Sequence, residues 1–487
     1  MPPGPGARRA LLVSTVSVLA GGVASLVATL LLRVVMARAL DPSGLGLVLL
    51  ATSLVTPLGA VAALGTSTAL AQRVAERRAR ADEAGARGAG RRGVLLAAAS
   101  GALAAFFLAV LAGPIARLLG QPGLERVLPP IAPVALGLAV GIAALGVARG
   151  FGDSLGRALL RDAGGGLLRV LGVGSVLLTD APTPFGIAIG FAAGSVAAEL
   201  AFAAYVVAKG WISAPGSADP EPLLPALRPL AATEVLTQAS LWLDLVVLGA
   251  LAPPAVVGVY GVARGLTRVL DLVRQASAHG YLPAVAAACA RGEEARLPAL
   301  HVGTRRFAFG LVWPALAVCL LAPEPLVTLL FGAPYAGAAS ALRLLAAGSF
   351  AASAFDYLDL LLVAERRAGE VFRAGLVGTA ALVVLLAALV PPFGGAGTAA
   401  AVLGSGLVRG ALLHRHAFRA RPFAPFRPGV AEPAAIGLAS LAAGGVLLAL
   451  VPAGGIPALV AAGAVGALGS AASLVRFFRA RERALPA

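Results

Sequence analysis

The sequence predicts an all-α polytopic membrane protein of about fourteen transmembrane helices. They form two six-helix lobes in a pseudo-twofold repeat, followed by a C-terminal helix pair. Three observations predict this: long charge-free apolar runs, arginines gathered in every second gap between them, and a series of motifs that returns 212 residues later. Hydrophobic residues make up 59% of the chain and charged residues 13%, with a mean hydropathy of +0.90. That is the composition of a chain dissolved in a bilayer.

Residues 10–32, 42–71, 93–116 and 127–148 carry no charge, and the runs 374–408 and 434–475 are longer still. A helix of about 20 apolar residues crosses the hydrocarbon core, so each of the two longest runs holds two crossings. They divide at Pro391-Pro392-Phe393-Gly394-Gly395 and at Pro452-Ala453-Gly454-Gly455, where proline and glycine interrupt the apolar pattern. In chain order the spans fall near 10–32, 44–71, 93–116, 127–148, 163–179, 184–208, 229–251, 255–285, 307–322, 338–363, 371–391, 395–413, 430–451 and 455–475. Ala37-Arg38-Ala39 has the outline of a signal-cleavage site, but the apolar run before it is too long for a signal core, so the first span is expected to be retained.

The net charge of +16 comes from 39 basic and 23 acidic residues. The arginines form no single basic face, which sets nucleic acid aside. They cluster at 73–92, 149–161, 291–306, 366–373, 415–427 and in the tail from Arg476 to Arg483. With Arg8, Arg9, Lys209 and Arg228 this puts 29 basic residues on one side, against four (Arg33, Arg38, Arg117, Arg126) on the other. The asymmetry is the positive-inside signal and places both termini in the cytoplasm. Cys289 and Cys319 have no metal-ligand spacing and read as buried thiols, and no cofactor is expected.

Gly46 and Gly258, within Pro42-Ser43-Gly44-Leu45-Gly46 and Pro254-Ala255-Val256-Val257-Gly258, differ by 212, as do Gly120 and Gly332, and Arg161 and Arg373. Pro184-Phe185-Gly186 and Pro392-Phe393-Gly394 recur at 208. Each repeat holds six spans, so the halves keep one orientation and are related by an axis along the membrane normal, the arrangement in which transporters place a cavity between two lobes. The expected division is an N-terminal lobe at 1–209, a Pro/Ala/Gly-rich cytoplasmic linker at 210–228, a C-terminal lobe at 229–427, and an appended pair with a cytoplasmic tail at 428–487.

Four stretches carry a resemblance to a known family. They are Arg38-Ala39-Leu40-Asp41-Pro42-Ser43-Gly44-Leu45-Gly46; Leu243-Asp244-Leu245-Val246-Val247-Leu248-Gly249 with Gly258-Val259-Tyr260-Gly261; Leu330-Phe331-Gly332-Ala333-Pro334-Tyr335 with Leu342-Arg343-Leu344-Leu345; and Pro392-Phe393-Gly394-Gly395-Ala396-Gly397. In order and register they resemble the polysaccharide-flippase branch of the multidrug/oligosaccharidyl-lipid/polysaccharide exporter superfamily, over essentially the whole chain. The resemblance implies a flippase that turns a polyprenyl-pyrophosphate-linked oligosaccharide (an O-antigen, capsule or exopolysaccharide repeat unit) across the bacterial cytoplasmic membrane by alternating access. It implies membrane lipids, a polysaccharide polymerase and glycosyltransferases as partners. A cation-coupled drug or metabolite exporter and a lipid II flippase of the same superfamily are the alternatives.

Charges inside spans are costly, about 3 kcal/mol for an arginine at the bilayer centre. Arg169, Arg264, Arg268, Arg274, Arg343 and Arg409 and the acids Glu199, Glu234, Asp244, Asp271, Asp356 and Asp359 are therefore expected to face the bundle interior or water. Interior salt bridging is the plain reading for each, and Arg274 and Arg409 lie close enough to span ends to snorkel. The eighth span is denser: Arg264, Arg268, Asp271 and Arg274 follow at steps of four, three and three, on one helical face. A pyrophosphate needs such a stripe, because guanidinium forks donate paired hydrogen bonds to phosphate oxygens. By resemblance, Arg264 occupies the family's cavity-arginine position. Arg33, Arg264, Arg268 and Arg343 are the substrate-binding candidates. Asp244, Asp356 and Asp359 are candidates for a coupling ion, the last two expected on one face of the tenth span. An enzyme is disfavoured: the outer loops are short, 113–126 and 323–337 carrying one acid each (Glu125 and Glu324), and no phosphate-binding glycine loop, His/Cys cluster or Ser–His–Asp pattern occurs.

Overall fold

The computed structural model describes residues 5–179, 182–212, 224–419, 421–450 and 455–482, which form helices and no strand. Packing divides the chain into two compact units, residues 1–258 and 259–487.

The first unit contains α1 (Pro5–Ala39), α2 (Pro42–Ala62), α3 (Thr66–Ala79), α4 (Glu83–Val110), α5 (Ala112–Leu118), α6 (Leu124–Ile131) and α7 (Pro133–Gly150). A π-helical segment, Arg157–Gly164, then leads into α8 (Gly165–Val176), α9 (Pro184–Ala208) and α10 (Leu224–Leu251). Local chemistry sets the ends. Asp41 caps α2 by accepting from Ser43 N and Gly44 N at 3.2 and 3.1 Å, with Pro42 in the first turn, where its missing N–H is no loss. Leu64 and Gly65, at φ 55° and 72°, end that helix inside the stretch expected as one span. Asp82 caps α4 through Gly85 N at 2.8 Å. The Arg77 guanidinium, 2.7 Å away, holds the Asp82 carboxyl below the usual carboxylate range, with Gly85 N–H adding to the effect.

Helices in lipid gain little from hydrophobic burial against each other, so close backbone approach through small residues carries the packing. A Cβ on Gly172 of α8 would stand 2.3 Å from Gly190 O of α9, and one on Gly194 would stand 2.4 Å from Leu168 O. The first turns of α2 and α11 meet in the same way. A Cβ on Gly46 would lie 1.8 Å from Pro254 O, and one on Gly258 would lie 2.1 Å from Pro42 O. Gly46 and Gly258 are the pair that the repeat matches at 212 residues. Gln121 is buried and donates through Nε2 to Gly249 O and Ala252 O, both at 2.9 Å, satisfying the last carbonyls of α10.

The second unit takes most of α11 (Pro254–Ala290), then α12 (Leu297–Leu321), α13 (Pro323–Phe331), α14 (Ala338–Ala352), α15 (Leu358–Ala364), α16 (Ala368–Ala417), α17 (Pro428–Leu450) and α18 (Ile456–Glu482). In the turn after α11 the Arg291 guanidinium, aided by Arg296, holds Glu293 down to about 2. The fifty residues of α16 contain one non-helical residue, Gly394, at φ 53° and ψ −125°. Cβ positions at Gly378, Gly404 and Gly397 meet Arg409, Leu385 and Leu389 respectively, so the element doubles back as two antiparallel limbs. These are the eleventh and twelfth spans, with the expected turn compressed to one residue. The appended pair is fastened to α12. Arg306 grips Glu432 of α17 through Nε and Nη2, at 2.8 and 2.7 Å, and Ser473 of α18 donates to Arg306 O at 2.9 Å.

Eleven helical stretches among the described residues are long and apolar enough to cross a membrane. One of them is the doubled α16. The fifth and eighth expected spans are not in that set of described stretches and correspond to the π segment with α8, and to α11. The all-α multi-pass architecture of about fourteen spans therefore stands. The tenth span departs from expectation. It breaks at a 3₁₀ turn, Ser353–Phe355, and at Tyr357, which has φ 65°. Most of the linker expected at 210–228 lies outside the described residues, while 224–228 open α10.

Candidate functional site in the second unit

The break in the tenth span builds the most developed polar site. Helix α14 ends at Ala352, and its terminal carbonyls have no helical partner. Arg305 of α12, only 4% exposed, partners the carbonyls of the 3₁₀ turn that follows. It donates through Nη1 to Ala354 O at 2.8 Å and through Nη2 to Ser353 O. A guanidinium there also sits at the negative end of the α14 dipole. Charge counting had placed Arg305 among the cytoplasmic arginines; its side chain instead turns into the bundle. The signal for that role was Ser353-Ala354-Phe355-Asp356-Tyr357, a polar interruption of an apolar run.

Asp356 follows the turn and accepts from Arg274 Nη1 of α11 at 3.3 Å. Arg274 therefore pairs within the bundle rather than snorkelling away. Tyr357 OH donates to the Arg274 carbonyl at 3.3 Å, tying α11 to the break. Arg274, Arg305, Asp356, Ser349 and Ser353 form the polar part of a small cleft of about 40 Å³, lined also by Leu270, Phe309, Val312, Leu316 and Pro433 of α17. Two guanidiniums face one carboxylate. Such a cleft can attract an anion, and Asp356 can exchange its arginine for a cation or a proton.

Asp359 lies beyond the break and pairs with Arg409 of α16 at 3.6 Å. The expectation that Asp356 and Asp359 share one helical face is therefore corrected: the left-handed Tyr357 separates them, and each meets a different helix. Arg264 and Arg268 lie on α11 upstream of Arg274, half-buried at the edge of a stripe formed by Tyr260, Ala263, Leu266, Thr267 and Leu270. The Asp271 side chain lies outside what is described. Arg343 is exposed on α14 and donates from Nε to Leu320 O at 3.3 Å. It stands thirteen residues before Asp356, roughly 20 Å along a helix. In the first unit, Asp244 of α10 is fully buried, with its Oδ1 taken by Leu245 N at 2.9 Å, and Arg33 of α1 is half-buried. Both cysteines are free, and no group of three or more His, Cys, Asp or Glu among the described residues could hold a metal.

The fold is that of transporters of the MOP superfamily. A lipid II flippase, MurJ, in an inward closed conformation superposes with a TM-score of 0.72 at 14% identity, covering 96% of this chain and 99% of that one. An inward-facing MATE-family multidrug resistance transporter gives 0.65 at 16% identity, covering 84% and 95%. A MOP superfamily transporter from Pyrococcus furiosus gives 0.62 at 16% identity, covering 88% and 96%. The sequence profile described as polysaccharide biosynthesis protein matches residues 11–286. The chain belongs to that family. A comparison with curated proteins gives no match.

Proposed function

We propose that this protein is a flippase for a polyprenyl-pyrophosphate-linked oligosaccharide, moved across the bacterial cytoplasmic membrane by alternating access of lobes 1–209 and 229–427. The observation that carries this reading is the family match over residues 11–286 laid on a multi-pass transporter fold. Arg33, Arg264, Arg268 and Arg343 are proposed to receive the pyrophosphate. Asp356 is the strongest of the three coupling candidates, because it is the one that borders a cleft beside a helix break. Interrupted spans are where transporters hold ions and substrates. Deleting the gene should leave lipid-linked oligosaccharide on the cytoplasmic leaflet and reduce surface glycan. Normal surface glycan in a strain with no second flippase gene would remove the reading.

The proposed orientation, with both termini cytoplasmic, has its own test. Ala84 and Pro122 are both exposed and fall on opposite sides in the charge-derived topology. A cysteine at Ala84 should be shielded from an impermeant thiol reagent in intact cells, and one at Pro122 should label. Labelling at Ala84 with none at Pro122 would invert the topology.

A further inference from the structure

The first unit holds a second charged cluster, which neither the transport reading nor the cleft at Asp356 uses. Glu199 of α9 is 3% exposed and lies between two arginines. Arg161, in the π-helical segment, donates from Nε to Oε2 at 3.1 Å, and Arg169 of α8 donates from Nη2 to Oε1 at 3.2 Å. Three structural features build this arrangement. The glycine-mediated approach of α8 and α9 brings both guanidiniums within reach of one carboxylate. Gly141 of α7 leaves room for that carboxylate, since a Cβ there would stand 1.8 Å from Oε2. The π-helical segment, a geometry that recurs at functional sites, carries Arg161.

The charge does not balance. Arg157 lies 3.3 Å from Asp162, and Asp162 also acts electrostatically on Arg169. Three guanidiniums thus face two carboxylates. Hydrogen bonding is equally incomplete. A guanidinium carries five N–H donors; Arg161 and Arg169 each spend one on Glu199 and make no other hydrogen bond among the described residues. A bridge with only a structural task would favour the paired fork-to-carboxylate geometry. Here Glu199 is shared by two forks, one nitrogen each, and their remaining donors stay available on side chains 17% and 25% exposed. The carboxylate orients the arginines without saturating them.

We propose that Arg161 and Arg169, held by Glu199, form a binding site for a phosphoryl oxyanion, of a lipid headgroup or of free phosphate. The chemistry is two guanidinium forks with unused donors and one unbalanced positive charge in a largely buried setting, which together favour a tetrahedral oxyanion. The site does not depend on the transport reading, and its test measures binding alone, so a negative result leaves that reading standing.

The full-length protein, carrying Arg264→Ala and Arg268→Ala throughout so that the ligands proposed for transport do not contribute, is placed in phosphatidylcholine nanodiscs and titrated with inorganic pyrophosphate. In a parallel arm, phosphatidic acid is included in the disc and its retention is read by native mass spectrometry. This parent protein should bind at least one probe, and adding Arg169→Gln or Arg161→Gln should each lower that affinity by about tenfold or more. Glu199→Gln should still bind, and the bound probe should raise its unfolding temperature. If a glutamine variant does not fold, Arg169→Lys replaces it, with an expected intermediate affinity because charge is kept and the fork is lost. A loss confined to pyrophosphate assigns free phosphate as the source, and a loss confined to phosphatidic acid assigns the headgroup. No binding by the parent protein, or unchanged affinity in the Arg161 and Arg169 variants for both probes, overturns the proposal.

Discussion

Replacing Arg264 or Arg268 by alanine is expected to cut transport severely while leaving membrane insertion and abundance near normal. Both lie on one long helix, α11, at the half-buried edge of its packed stripe. Removing either side chain therefore leaves the buried residues Tyr260, Ala263, Leu266 and Leu270 in place. A charge-assisted hydrogen bond contributes about 1.5–3 kcal/mol, which corresponds to roughly a tenfold to hundredfold loss per arginine. Arg264→Lys keeps the charge but loses the fork and should retain partial activity. A salt bridge with a structural role alone predicts a different outcome: truncation would strand a buried acid and lower the folded amount. Transport and protein level measured together on Arg264→Ala, Arg264→Lys and Arg268→Ala separate the two. Full transport in both alanine variants would eliminate these residues as substrate ligands.

The second large effect is expected at Gly46 and Gly258. The Cβ of an alanine at either position would overlap a backbone carbonyl oxygen, at 1.8 Å from Pro254 and 2.1 Å from Pro42. No side-chain rotation relieves an overlap of Cβ with backbone, so the strands of chain around it must separate. Overpacking costs about 1–3 kcal/mol where neighbours can adjust, and this site belongs at or above the top of that range. Gly174→Ala is the control, because a Cβ there meets nothing within 4 Å. Unfolding temperatures in detergent should fall clearly for Gly46→Ala and Gly258→Ala and stay unchanged or rise for Gly174→Ala. Equal midpoints in all three would contradict the close approach. The double variant should fall short of the sum, since both substitutions disturb one contact.

Much of the architecture was legible in the sequence because the bilayer imposes a simple rule: an apolar run of sufficient length crosses it. Asp41-Pro42 announced the start of α2, and Pro391-Pro392-Phe393-Gly394 marked the reversal inside α16. Side-chain direction was less legible. Arg305 counts as one more arginine beside Arg306 in a charge tally, yet one caps a broken helix and the other grips Glu432. Asp356 and Asp359 sit at helical spacing, and only the left-handed backbone of Tyr357 separates their partners. Tyr357 meets α11 through Arg274 O and the Tyr281 ring, contacts that no local pattern records. The Arg161–Glu199–Arg169 cluster was hidden for a similar reason, because its members lie on different helices joined through glycines scattered along the chain.

The contact between Gly46 and Gly258 has the form of a homodimer interface. Around a twofold axis every contact occurs twice, with partners exchanged. Pro42 O over Gly258 and Pro254 O over Gly46 are such a couple, written into a single polypeptide. A two-subunit protein changes both sides of its interface with one mutation, because both copies share a gene. This chain must make two separate changes, 212 residues apart, to alter the same seam symmetrically. Sequence drift at this point is therefore restrained on both sides at once, and a tolerated replacement of one glycine is expected to come with an adjustment near the other.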